Sequence, residues 1–231
     1  MKAYKVHEYG DAAKFIESEV NKPGATSGHI VIEVKATSLN PVDHKILKLD
    51  LEINPALPAT LHMDVAGVIV EVGDGVTDFK IGDEVYGCAG GLQGRAGNIE
   101  GALADFMLAD SSLIALKPKS LSFSEAAALP LVSITAWEGL FDRAHINTDD
   151  HVLIHAAAGG VGHIAIQLAK QHGARIATTV SSEDKAKIAK DLGVDDIINY
   201  RDEAVEDYRQ RLTHGKGFDV VFDTIGGGNL D

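Results

Sequence analysis

The run HAAAGGVG, residues 155–162, holds the residues whose types and spacing most directly suggest chemistry. It follows an apolar run, residues 152–156, that reads as a strand, and it opens a stretch whose apolar residues recur at helical spacing. A chain that passes from strand to helix there leaves the first backbone N–H groups of the helix unpaired, and glycines let a diphosphate approach them closely. With further strand and helix units downstream, the run predicts a dinucleotide cradle built from Ala158, Gly159, Gly160, Val161 and Gly162. Ala157 stands where the first glycine of such a loop usually lies.

The end of the next strand decides which dinucleotide fits. An acidic residue there would bond both ribose hydroxyls and repel a 2′-phosphate. This chain instead has Thr179-Val180-Ser181-Ser182, with Lys185 one helical turn on. Hydroxyls and an ammonium favour a phosphate by charge-assisted hydrogen bonds, so NADPH is expected over NADH. Glu183 and Asp184 oppose this, and a plainer reading stays open: Ser181 or Ser182 caps a helix and Lys185 is solvated.

The elements that must position these residues differ between the two halves of the chain. Up to residue 118 or so the apolar runs are short and β-branched, as in residues 29–36, 66–72 and 83–86, with glycines between them. Ile30, Ile32 and Val34 alternate with Val31, Glu33 and Lys35, which predicts half-buried strands of a small barrel. An Ala-rich helical stretch follows over residues 122–141, with Ser124 and Glu125 placed to start it. From His151 onward strands over 152–156, 175–180, 197–199 and 218–223 alternate with helices, one of which shows Val161, Ile164, Ala165, Leu168 and Ala169 on one face. That order predicts a doubly wound parallel sheet, and hence an α/β chain of two domains, 1–122 and 123–231. A sheet ending at its fourth strand would leave an open edge, so the second domain is expected to continue past residue 231 in the natural protein.

Composition narrows the function classes. Hydrophobic residues make up 45% and charged residues 24%, which is ordinary for a globular protein. A formal charge of −13 disfavours nucleic acid, whose binding depends on Lys and Arg. No run approaches the roughly 18–20 apolar residues of a membrane span, and no signal peptide is apparent, so a cytoplasmic location is expected. The single cysteine, Cys88, excludes an internal disulfide and a thiolate-rich zinc site, and reads as a small buried apolar residue.

The stretch HAAAGGVGHIAIQLAKQHGA, then Lys185 and Ile197-Ile198-Asn199-Tyr200-Arg201, resembles the NADPH-dependent quinone reductases related to zeta-crystallin, a zinc-independent branch of the medium-chain dehydrogenase/reductase superfamily. Asn40-Pro41-Val42-Asp43, residues 61–73 and residues 131–141 match as well. The resemblance implies a mostly-β GroES-like substrate domain, a Rossmann domain, and a homodimer or homotetramer of the full-length protein. It implies that Ser181, Lys185 and Tyr200 hold the 2′-phosphate and that Thr135 lies near the nicotinamide. Zinc-dependent alcohol dehydrogenases share the fold but need cysteine where this chain has Asn40 and histidine where it has Met63, so no metal is expected. A cluster of His44, His62, Asp43 and Asp64 is the remaining candidate for one.

Without a metal, the expected chemistry is hydride delivery to a carbon conjugated with a carbonyl, in a quinone or an α,β-unsaturated ketone or aldehyde. Asn40 and Thr135 are candidates to hydrogen-bond the developing enolate oxygen, with Asp43 orienting the loop. Asn40-Pro41 reads equally well as a turn. The resemblance implies that the residues between Asp43 and Leu61 and the glycine-rich run 88–101 line the substrate cleft. Two other readings stay open: oxidoreduction of an alcohol/aldehyde pair, and a non-catalytic NADPH-binding sensor.

Overall fold

The computed structural model describes residues 1–49, 51–94 and 97–226. Their contacts divide the chain into two units, Met1–Leu131 and Val132–Asp231.

The first unit contains strands β1 (Lys2–Val6), β2 (Ile16–Glu19) and β3 (His29–Thr37), helix α1 (Pro41–Lys48), then β4 (Ala59–Thr60), β5 (Asp64–Val72) and β6 (Glu84–Cys88). A short hairpin, β7 (Leu92–Gly94) and β8 (Gly97–Ile99), leads to β9 (Phe106–Asp110), β10 (Ile114–Leu116) and helix α2 (Phe123–Ala127). The main sheet is antiparallel in the order β10-β6-β5-β3-β9, and a smaller one runs β2-β1-β4. Val85, Ile69, Met107 and their neighbours form the core of the main sheet, and Val6 and Ala59 of the smaller one pack with Ile46, Leu61 and Met63 in a second cluster.

Two expectations change here. Ile30, Val31 and Ile32 are all fully buried, so β3 is covered on both faces at that point and does not alternate strictly. Irregularities in its register with β5, between Val31 and Ile32 and again between Val34 and Ala36, accompany the change. The helical stretch after β10 begins earlier than Ser124. Ser122 is the N-cap of α2, its Oγ accepting from the Glu125 N–H at 3.2 Å while Glu125 accepts from the Ser122 N–H at 2.8 Å, a reciprocal capping box. Ala126 and Ala127 then pack on Ala66 of β5, which keeps α2 in the first unit, beyond residue 122.

Pro130 opens helix α3 (Pro130–Trp137), as its missing N–H allows. The helix then widens into a π-type turn over Glu138–Arg143, in which Gly139 lies against the Phe222 ring, closer than a Cβ would permit. Beyond it come β11 (His151–Ile154), α4 (Gly160–His172), β12 (Arg175–Val180), α5 (Glu183–Asp191), β13 (Asp196–Asn199), α6 (Val205–Thr213) and β14 (Val220–Phe222). The four strands are parallel, in the order β13-β12-β11-β14. The chain therefore steps outward from β11 in one direction and then crosses to its other side, and the crevice beyond the carboxyl end of β11 is where doubly wound sheets place ligands. Helix α4 covers the sheet through Gly162, Ala165, Ile166 and Ala169, with Val161, Ile164 and Leu168 at the margin of the contact. The buried stripe is thus rotated from the expected one toward the smallest side chains, which permit the closest approach of helix to sheet.

Candidate active site

In the second unit the glycine-rich run connects β11 to α4 as expected. Gly159 is the N-cap of α4 in an extended conformation, and Gly160, Val161 and Gly162 form its first turn, whose N–H groups have no intrahelical acceptor. A Cβ on Gly162 would collide with the Ala156 carbonyl oxygen, so only glycine fits where the helix crosses the end of β11. Ala156 itself adopts φ 60°, a left-handed conformation uncommon for alanine, and turns the chain into the loop.

A cavity of about 270 Å³ opens beside this turn, lined among others by Ala158, Gly159, Ser181, Lys185 and Tyr200. Lys185 Nζ donates to Ser181 Oγ at 3.1 Å, and Ser182 caps α5, accepting from the Lys185 N–H at 3.4 Å. The capping role and the cavity-lining role therefore fall on different serines. No carboxylate lines the cavity among the described residues, and Tyr200, at the end of β13, is half exposed. Hydroxyls, a cation and free helix N–H groups suit a phosphorylated dinucleotide.

Two residues under this cavity were not singled out by type or spacing. Thr179 Oγ1 accepts from the Ala156 N–H at 3.3 Å and lies 3.0 Å from His155 Nδ1, tying the end of β11 to the end of β12. The hydroxyl can donate to the imidazole or accept from it, according to the tautomer of His155. Burial lowers the His155 pKa, opposed by the charge of Asp223, so the ring is neutral at ordinary pH. A polar pair at the carboxyl ends of adjacent parallel strands was the available signal.

In the first unit Asn40 and Asp43 open α1. Asp43 Oδ2 accepts from the Asn40 N–H at 2.7 Å and so closes the helix start. Burial raises the Asp43 carboxyl, and the Asn40 N–H pulls it back down. The Asn40 side chain is buried, its Nδ2 donating to Asp64 Oδ2 at 2.8 Å and to Ser38 Oγ at 3.3 Å. The amide hydrogens expected to serve an enolate oxygen are thus directed into the protein. Ser38 and Asp64 complete the cluster around Asn40. Cys88 stands opposite Asp64 across the β5–β6 pair, and burial together with the charge of Asp64 pushes its thiol up to about 12. Thr135, in the second unit, lies on α3 and is exposed.

The same residues test whether zinc fits. Among the described residues no group of three or more His, Cys, Asp and Glu side chains could hold a metal ion. Asn40 turns its NH2 inward, and Met63 is buried among Val6, Ile46, Ala59 and Leu61, so neither offers a ligand where a zinc dehydrogenase needs one. Gly90 and Gly101 pack by close backbone approach. A Cβ on Gly101 would meet the Leu61 backbone. Asp50, Arg95 and Ala96, which belong to the expected substrate-lining runs, lie outside the described residues, as do residues 227–231. No helix of the described residues is long and apolar enough to cross a membrane.

Comparison with known proteins agrees with this geometry. Residues 26–119 match the alcohol dehydrogenase GroES-like domain family, and residues 160–231 match the family described as zinc-binding dehydrogenase. The chain is 41% identical over 233 residues to a 2-methylene-furan-3-one reductase of Solanum lycopersicum, covering 99% of this chain and 58% of that protein. It is 33% identical to the quinone oxidoreductase of Rattus norvegicus, covering 100% of this chain and 68% of the relative. The crystal structure of Escherichia coli quinone oxidoreductase complexed with NADPH superposes with a TM-score of 0.84 at 32% identity, over 100% of this chain and 68% of that one. The chain thus spans little more than half the length of the tomato relative and about two thirds of the other two. With its GroES-like first unit, its parallel-sheet second unit and this identity to the rat enzyme, the chain belongs to the quinone-oxidoreductase branch of the medium-chain dehydrogenase/reductase superfamily.

Proposed function

We propose that the protein is an NADPH-dependent reductase of quinones or α,β-unsaturated carbonyl compounds that works without a metal. The observation that carries this reading is the cavity beyond β11, where Ser181, Lys185 and Tyr200 supply hydroxyls and a cation at the position that an acidic residue would occupy in an NADH site. The names of the relatives support it: one is a furanone reductase, one a quinone oxidoreductase, and one holds NADPH.

NADPH, when bound, supplies a hydride, and a proton from solvent or the protein completes reduction of a quinone to a hydroquinone or of an enone to a saturated ketone. The residues of this chain bind and orient. The loop Ala158-Gly159 and the first turn of α4, Gly160 to Gly162, receive the diphosphate through backbone N–H groups and the helix dipole. Ser181 and Lys185 hold the 2′-phosphate, with Tyr200 flanking it. In the first unit Asp43 fixes the start of α1 and with it the backbone of Asn40. In the second, the Thr135 hydroxyl on α3 is the candidate hydrogen-bond donor to the carbonyl oxygen. The reading extends to a homodimer or homotetramer of the full-length protein, which sizing chromatography tests, and to a cytoplasmic location, which subcellular fractionation tests.

The deciding experiment is steady-state oxidation of NADPH and of NADH against a panel of quinones and enals. Turnover with NADPH at higher kcat/KM than with NADH supports the proposal. Tight NADPH binding with no oxidation across the panel would favour a non-catalytic sensor instead.

A further inference from the structure

Ala156 is the residue at which the chain turns from β11 into the nucleotide loop. Its φ of 60° is left-handed, a conformation that alanine keeps only where its surroundings hold it. Its carbonyl oxygen accepts from the Gly159 N–H at 2.9 Å and lies against Gly162, so it touches both the N-cap and the first turn of α4. A backbone N–H past the end of a strand needs another acceptor. That of Ala156 donates to a side chain, Thr179 Oγ1, at 3.3 Å. Thr179 belongs to β12, is 4% exposed and stands two residues before Ser181. Ala156, Thr179 and Ser181 line one cavity.

We infer that Thr179 is a positioning residue for the dinucleotide: its hydroxyl oxygen clamps the Ala156 N–H and so keeps the left-handed turn that sets the N–H groups of residues 158–162. The threonine acts on the loop that receives the diphosphate, and the 2′-phosphate is left to Ser181 and Lys185. One strand end, from Thr179 to Ser181, thereby aligns both parts of the site. The clamp needs only a lone pair of the hydroxyl, so it holds whichever way the proton lies between Thr179 and His155. The assignment rests on the proposed NADPH site.

The expected pattern differs from that of Lys185. The diphosphate is common to NADPH and NADH, so Thr179→Val, which keeps the shape and removes the oxygen, should raise both Kd values about tenfold and leave their ratio unchanged. Thr179→Ser keeps the oxygen and should bind both cofactors as wild type does. Added to Thr179→Val, Ala156→Gly should recover about threefold or more of the loss, since glycine adopts a left-handed φ without strain.

Fluorescence titration of the full chain with NADPH and with NADH, alongside thermal unfolding, decides. Wild-type Kd values in Thr179→Val, with only the Tm lowered, would make the hydroxyl merely structural and overturn the inference. A loss confined to NADPH overturns it too, because it moves Thr179 to the 2′-phosphate. So does a failure of Ala156→Gly to recover any affinity. If Thr179→Val does not fold, hydrogen exchange on wild type decides: the Ala156 amide should exchange about a hundredfold or more slower than an unstructured one, and fast exchange overturns the inference. If wild type binds neither dinucleotide, the proposed cofactor site fails and the assignment with it. Tight wild-type binding with any of the adverse results above overturns the assignment alone.

Discussion

The carbonyl oxygen of Ala156 occupies the space that a Cβ on Gly162 would need. One residue ends the turn out of β11 and the other lies in the first turn of α4, so this contact sets how closely the helix N-terminus approaches the end of the strand. Gly162→Ala should force the helix and loop apart. An overpacking cost of about 1–3 kcal/mol and a loss of NADPH affinity are expected, measured by thermal unfolding and fluorescence titration. Unchanged NADPH affinity in the alanine variant would show that the helix start does not receive the nucleotide.

Lys185→Ala should weaken NADPH and leave NADH nearly untouched, because only the former carries the 2′-phosphate. Hydrogen bonds to charged groups contribute about 1.5–3 kcal/mol, so the preference should shrink by about tenfold to a hundredfold. Titration of wild type and variant with both cofactors decides, and parallel losses for NADPH and NADH would place Lys185 elsewhere than on the phosphate.

Chelation should not affect turnover. Asn40 is committed to Asp64 and Met63 to an apolar cluster, so no ligand set for zinc is at hand among the described residues. Activity is expected to survive prolonged dialysis against EDTA. Stoichiometric zinc in elemental analysis, with turnover lost on its removal and regained on its return, would refute this.

His155 should make the fold sensitive to acid. Its burial places its pKa in the folded protein below the ordinary 6.5, so the unfolded chain binds the proton more readily. The contribution of this group to stability is therefore complete above the unfolded value and is lost as pH falls through the folded one. Between about pH 7.5 and about pH 5.5 the Tm of wild type should drop further than that of His155→Gln, which keeps a neutral partner for Thr179 but cannot take up the proton. Parallel curves for the two proteins would remove His155 from the account.

Cys88 should be unreactive in the native state. Burial, with the negative charge of Asp64 beside it, pushes its thiol up to about 12, and the thiolate is the reactive form. Alkylation by iodoacetamide near about pH 8 should go to completion only on unfolding. Rapid labelling of the folded protein, followed by mass spectrometry, would contradict the raised pKa of this half-buried thiol.

Much of the fold was legible because its determinants are local. The period of the apolar residues separates strand from helix, and glycines and capping residues mark where each ends, so the change from a mostly-β half to alternating strands and helices could be read from the chain alone. The cradle from Ala158 to Gly162 was legible for the same reason: strand, turn and helix are consecutive, and the turn carries the glycines itself. Tertiary structure decided what depends on residues far apart in sequence. Val31 is buried because β3 is covered on both sides, which no pattern within the strand reveals. His155 meets Thr179 only because β11 and β12 lie side by side. Asn40, Asp64 and Leu131 converge across separations of 24 and 67 residues, which no local pattern reveals. The sequence by itself determined the elements and the nucleotide loop, since backbone geometry repeats over a few residues. The pairing of strands, which sets side chains of distant segments within hydrogen-bonding reach, determined the rest.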